Sequence, residues 1–166
     1  RSLGVGCKGI LRAAKIFRNS SLIKVLSFMS DKLLPVGNTV AALDELYIWL
    51  SNPTAIEYIR NCLKRVRKKE AAMLLASQNL EDFDQEGVRE MTKPLFSIPP
   101  HQFLFNAGSI DKRSYMDMLQ LEESEYNLIK FPQRGVCLYK CGNERYLLEV
   151  HAPAYKEKLF GTAGGR

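Results

Sequence analysis

Two acids stand side by side at Asp44-Glu45, directly after the apolar run Thr39-Val40-Ala41-Ala42-Leu43, and Gln78 follows a second apolar run, Ala71 to Ala76. Adjacent carboxylates at the end of an apolar segment suit magnesium-assisted phosphoryl transfer. One of them holds Mg²⁺, usually through water, because this ion takes oxygen ligands and keeps much of its hydration shell. The other orients and deprotonates the attacking water. A neutral amide on a neighbouring segment can touch both the terminal phosphate and that water. Each part has an ordinary alternative: acids follow strands to meet solvent, and a loop glutamine is often no more than a hydrogen-bonding residue. The ordered set says more than either part.

The elements that must position these residues read as an alternation of strands and helices. Thr39 to Leu43 is apolar nearly throughout, which predicts a strand buried on both faces, as in a parallel sheet. Ala71 to Ala76 predicts a second such strand and His101 to Ala107 a third. Asn52-Pro53 supplies an N-cap with proline at the first helical position, and Ile56, Ile59, Leu63 and Val66 form one apolar face of the helix that follows. Further helices are expected near Gly87 to Phe96, Ile110 to Leu119 (capped by Ser109) and Glu122 to Lys130. The first 34 residues read as helical. Asn19, Ser20 and Ser21 supply cap chemistry between two helices, and Leu22, Val25, Leu26, Met29 and Leu33 lie on one stripe. Pro35-Val36-Gly37-Asn38 ends that pattern in a turn. Beyond Pro132, Gly135 to Lys140 and Glu144 to His151 flank Gly142-Asn143, a hairpin signal, and the alternation of Tyr146, Leu148 and Val150 predicts one buried face. A last helix is expected over Ala152 to Phe160. Strand, helix, strand, helix, strand predicts an α/β fold with a mostly parallel sheet, right-handed crossovers and the antiparallel ribbon extending one edge. In such sheets ligands bind at the carboxyl ends of the strands, where Asp44, Glu45 and Gln78 fall.

Composition sets the bounds. The 166 residues, 46% of them apolar, suffice for one buried core. Nothing approaches the roughly 20 uninterrupted apolar residues of a membrane helix, and no basic-then-apolar signal segment opens the chain. The first residue is Arg1 and not methionine, which suggests a piece of a longer protein. Net charge is +6, from 24 basic and 18 acidic side chains, and the only dense basic run is Lys64-Arg65-Val66-Arg67-Lys68-Lys69. That run has two readings: complementing the dipole at a helix C-terminus, or reaching anionic phosphates. Of Cys7, Cys62, Cys137 and Cys141, the last two have three residues between them, the spacing of half a zinc site, but the only histidines, His101 and His151, are lone and supply no second pair of ligands. On a strand Cys137 and Cys141 would stand roughly 13 Å apart, too far for a disulfide. They read as packed, reduced thiols of a cytosolic protein.

The segment Leu43-Asp44-Glu45-Leu46-Tyr47-Ile48-Trp49, a helix closing on Arg67-Lys68, and Leu74-Leu75-Ala76-Ser77-Gln78 together resemble the motor domain of the VirB-class ATPase of type IV secretion systems, whose relatives power conjugative transfer. The likeness runs from about Thr39 to His151 and includes Arg134-Gly135 before the last ribbon. It implies a RecA-like domain with Asp44-Glu45 as its Walker B acids. By the same resemblance Asp44 would serve Mg²⁺ through water, Glu45 would activate the attacking water and Gln78 would sense the γ-phosphate of ATP. Arg67 and Lys68 would reach nucleotide phosphates, including those held by a neighbouring subunit, and Arg134 would make an intersubunit contact. The whole protein would be a hexameric ring working with other secretion components at the cytoplasmic face of the bacterial inner membrane.

One departure stands out. The phosphate-binding loop G-x-x-x-x-G-K-[ST] has no match here, since Gly4-Val5-Gly6-Cys7-Lys8-Gly9 lacks Gly-Lys-Ser/Thr and no strand precedes it. The expected organisation is therefore a helical lead-in over 1–38, the C-terminal part of the ATPase domain over 39–160 and a flexible tail over 161–166. By itself such a chain is expected neither to hold nucleotide tightly nor to hydrolyse it. Two other readings compete: the DNA-pumping coupling ATPase of the same systems, and a non-catalytic interaction module whose Asp-Glu is a solvated strand end.

Overall fold

Asn52 starts the helix around which the N-terminal half is built. Its side chain accepts hydrogen bonds from the N–H groups of Thr54 (3.0 Å) and Ala55 (3.3 Å), and Pro53 takes the first helical position, where its missing N–H is not needed. The computed structural model describes residues 15–160 apart from 30, 32–35, 79, 107, 109 and 132. The chain divides at Pro99–Pro100 into two units.

In the first unit the elements run α1 (Lys15–Phe28), β1 (Thr39–Leu43), a 3₁₀ turn (Leu46–Ser51), α2 (Pro53–Val66), a 3₁₀ turn (Arg67–Lys69), β2 (Ala71–Leu75), a third 3₁₀ turn (Glu81–Phe83) and α3 (Arg89–Ser97). β1 and β2 pair in parallel, with Thr39 opposite Ala71 and Leu43 opposite Leu75, and α2 is the crossover that a parallel pair requires. α2 buries Ala55, Ile56, Ile59, Cys62 and Leu63 and packs against β2, α1 and α3. Trp49 and Phe83 add large buried side chains, and Phe83 meets Phe96 edge to face at 5.2 Å. Gly37 and Asn38, both at positive φ, form the turn that leads into β1.

Two expectations are corrected in this unit. α1 runs without a break through Asn19, Ser20 and Ser21, so these residues cap nothing. Burial of Leu22, Leu26 and Met29 on one stripe outweighs the weak local preference of serine and asparagine for caps. Leu33, Pro35, the first 14 residues and the tail over 161–166 lie outside the described residues. Nor are β1 and β2 buried on both faces. Exposure alternates along them, and Val40 (67% exposed) and Leu74 (58%) share an open face with Ala42 and Ala72. Among the described residues a helix backs one face only, and an apolar run does not record how many of its faces are covered.

In the second unit the order is β3 (His101–Leu104), α4 (Lys112–Leu119), α5 (Glu123–Ile129), β4 (Val136–Cys141), β5 (Glu144–Glu149) and α6 (Ala154–Phe160). β3 does not continue the β1–β2 pair. It runs antiparallel to β4, which runs antiparallel to β5, in a separate three-stranded sheet of order β3-β4-β5. One-sided burial suits this arrangement: Gln102 and Leu104 are half-buried while His101 and Phe103 are exposed, the pattern of an antiparallel sheet with one wet face. The expected buried face of β5 is also corrected, since Tyr146 and Val150 are exposed; β5 is an edge, and the burial lies in β4 at Cys137, Leu138 and Lys140. The cap of α4 is Asp111, whose carboxylate accepts from the N–H groups of Arg113 and Ser114, while Ser109 lies outside the described residues.

Side-chain bonds tie α4 and α5 to the sheet. Lys140 Nζ donates to the carbonyl of Leu119 at the end of α4 (2.5 Å), and Arg145 pairs with Glu125 of α5 (2.9 Å). Burial holds the Lys140 ammonium below the ordinary lysine range, and the nearby charge of Arg145 adds to this. Gly135, at φ +79°, accepts from Val150 N–H at 2.8 Å. A Cβ there would stand 2.4 Å from the Val150 carbonyl oxygen, so only glycine fits. Cys62, Cys137 and Cys141 are free thiols.

Candidate functional site

The parallel pairing of β1 and β2 continues past the strands and stops at the acids. Ala76 N–H donates to Leu43 C=O and Leu46 N–H donates to Ala76 C=O, both at 2.9 Å, so Asp44 and Glu45 are bracketed by two backbone bonds to β2. Between those bonds the chain turns through a left-handed residue: Glu45 has φ 53° and ψ 53°. A side chain with a Cβ is uncommon there, and such strain persists only where the surroundings over-determine it. Asp44 Oδ1 accepts the Glu45 N–H at 2.9 Å, and Glu45 C=O accepts from Ile48 N–H at 3.0 Å, opening the 3₁₀ turn that buries Trp49. The corner is thus fixed by its backbone and anchored by a buried indole.

Across this corner Gln78 Nε2 donates to Glu45 Oε1 at 2.5 Å. In a parallel pair both carboxyl ends lie on one side, which lets a residue beyond β2 meet a residue beyond β1. Asp44 and Gln78 are exposed and Glu45 is half-buried. The three residues singled out from the sequence therefore share one end of one strand pair, and two of them touch. This donor set has the right chemistry for the metal side of a magnesium triphosphate: an exposed carboxylate on Asp44, a second on Glu45, and a neutral amide. A glycine-rich phosphate cradle is not part of it. Among the described residues no three His, Cys, Asp or Glu side chains gather as a metal site.

Arg67 and Lys68 stand elsewhere. They form the exposed 3₁₀ turn between α2 and β2, at the amino end of β2, whereas Gln78 lies beyond its carboxyl end. Five strand residues intervene, about 16 Å at roughly 3.3 Å each. Lys64 and Arg65 occupy the last turn of α2, so part of the basic run does complement the helix dipole. Arg134 belongs to the second unit, exposed in the turn that enters β4. Sequence reasoning missed the backbone bracket through Leu46 and Ala76 and the left-handed Glu45. No residue type announces either, because glutamate is not a residue that marks positive φ.

Comparison with known proteins bears on the chain as a whole. No protein-family model matches the sequence. The chain is 33% identical over 114 residues to a probable conjugal transfer protein TrbE of Sinorhizobium fredii, a match that covers 66% of this chain and 17% of that protein. It is 30% identical, over the same length, to the conjugal transfer protein TrbE of Rhizobium radiobacter, covering 14% of it. The chain thus spans about one sixth of the length of these curated relatives. Its fold superposes on VirB4 of Thermoanaerobacter pseudethanolicus with a TM-score of 0.80 and 25% identity, over 93% of this chain and 42% of that one. The α/β class read from the sequence is the class of that structure. No described helix is long and apolar enough to cross a membrane. Sequence relatives and fold agree, and together they support a fragment of the VirB4/TrbE class of conjugal-transfer and type IV secretion proteins.

Proposed function

We propose that this chain carries the hydrolytic corner of a type IV secretion ATPase whose ATP turnover drives assembly of the secretion or conjugation machine and export through it. The observation that supports this reading most directly is the hydrogen bond between Glu45 and Gln78 across the tips of two parallel strands, with Asp44 adjacent in the chain. Asp44 is the residue that would hold Mg²⁺ through water, and bound magnesium would neutralise charge on the phosphates. Glu45 takes a proton from the attacking water, and Gln78 is within reach of both that water and the terminal phosphate. Because Arg67 and Lys68 lie at the far end of β2, their reading is contact with nucleotide on a neighbouring subunit of a ring, with Arg134 a further candidate for an intersubunit contact. The protein would work with other secretion components at the cytoplasmic face of the inner membrane.

The test uses the full-length protein, in which Asp44→Asn and Glu45→Gln are compared with the parent in an ATP hydrolysis assay. Loss of a positioned general base removes roughly 100-fold or more of turnover, so Glu45→Gln is expected to fall at least that far. Undiminished hydrolysis in both variants would reject the motor reading and favour an interaction module.

A further inference from the structure

We infer that Gln78 is a latch on Glu45: while no triphosphate is present, its amide occupies the carboxylate at the tip of β2 and keeps it from acting as a base. The inference deepens the proposed function and rests on its assignment of Glu45 as the base. Three observations carry it. The Glu45 backbone is held in place: Leu46 N–H is bonded to Ala76 C=O, Glu45 N–H is bonded to Asp44 Oδ1, and Glu45 C=O is bonded to Ile48 N–H. Its side chain is held by Gln78 Nε2, which donates to Oε1 at 2.5 Å. Both partners are reachable from solvent, Gln78 being exposed and Glu45 half-buried, so an incoming ligand can reach the bond.

The chemistry of the amide makes the latch responsive to an anion. Its N–H groups donate equally well to a carboxylate or to a phosphate oxygen, and a group bonded to one acceptor is partly lost to the other. A terminal phosphate that draws the Gln78 amide away would free Glu45 at the moment a substrate is present. One residue would then report the phosphate and release the base, and an empty site would stay quiet.

Availability of Glu45 in the nucleotide-free chain is the quantity to measure. Carboxylates are coupled to a small amine with a water-soluble carbodiimide and the modified positions are quantified by mass spectrometry, with Asp44 as the internal standard. In Gln78→Ala, Glu45 is expected to label about threefold faster or more relative to Asp44, on the scale of losing a charge-assisted hydrogen bond at a wet site. Gln78→Glu, which sets a second carboxylate where the donor was, should speed it at least as much. Equal Glu45 labelling in the parent and both variants would overturn the latch. That result is separable from failure of the functional reading. Equal labelling together with inactive Glu45→Gln leaves the ATPase corner standing without a latch, whereas full turnover in Glu45→Gln removes the base and the latch with it.

Discussion

The two strand systems of this chain are made from segments of similar length and end in opposite states. β4 is a central strand with antiparallel partners on both sides, and Cys137 and Leu138 are almost fully buried in it. β1 and β2 pair only with each other among the described residues, and one apolar face stays open at Val40 and Leu74. In the second unit the polar side chains near the sheet are bonded inward, as Lys140 is to Leu119 C=O and Arg145 to Glu125. In the first unit Asp44 and Gln78 stand exposed beyond the strand tips, with Glu45 half-buried between them. A sheet closed by its own partners commits its polar groups to structure. One whose pairing stops at an acidic corner leaves its polar groups within reach of solvent.

The largest expected effect comes from testing that contrast directly. Leu138→Ala should destabilise the second unit by about 3 kcal/mol in urea unfolding, the usual scale for a buried leucine. Leu74→Ala, at an exposed position, should change stability by no more than about 0.5 kcal/mol. A comparable loss at both sites would mean that the open face is packed in solution, and the contrast would fail. A smaller effect sharpens the description of the first unit. Asn52→Ala removes the cap of α2, the helix that backs the strand pair, and should cost about 1 kcal/mol. Unfolding at unchanged denaturant midpoint would show that the cap contributes nothing there.

The smallest effect is one of pH and belongs to the second unit. Burial depresses the folded-state pKa of Lys140 below its ordinary value of 10.5. The unfolded chain therefore binds more protons than the folded one in the window between the depressed value and 10.5, so stability rises with pH through that window and falls as the pH is lowered back through it. Lys140→Met should flatten this dependence. The difference in thermal midpoint between parent and variant is expected to shift in favour of the parent as the pH is raised toward 10.5. A difference independent of pH would show that Lys140 titrates alike in both states.

Particular residues show how much was legible beforehand. Asn52-Pro53 named its cap, Gly142-Asn143 named its hairpin, and the Leu22, Leu26 and Met29 stripe named its buried face. Each of these is a local signal, in which the residue's own chemistry satisfies backbone groups or faces a few residues away. The partner of His101–Leu104 was not legible in the same way. Its exposed and half-buried residues alternate, but nothing local distinguishes an edge that meets β2 from one that meets β4. Covering of β1 and β2 was misread for the same reason: an apolar run fixes what a strand tolerates and leaves open what packs against it.

By itself the sequence determined the order of the elements, the α/β class, and the identity of two acids and one amide placed just beyond two apolar runs. These follow from periodicity, turn chemistry and residue type, which act over a few bonds. Only the tertiary structure decided that β1 and β2 are neighbours in parallel, that Glu45 is pinned in a left-handed turn, and that Gln78 reaches its carboxylate. Those facts depend on groups some 33 residues apart meeting within hydrogen-bond range. Such a meeting is set by how α2 packs on the strands, and no local preference encodes it.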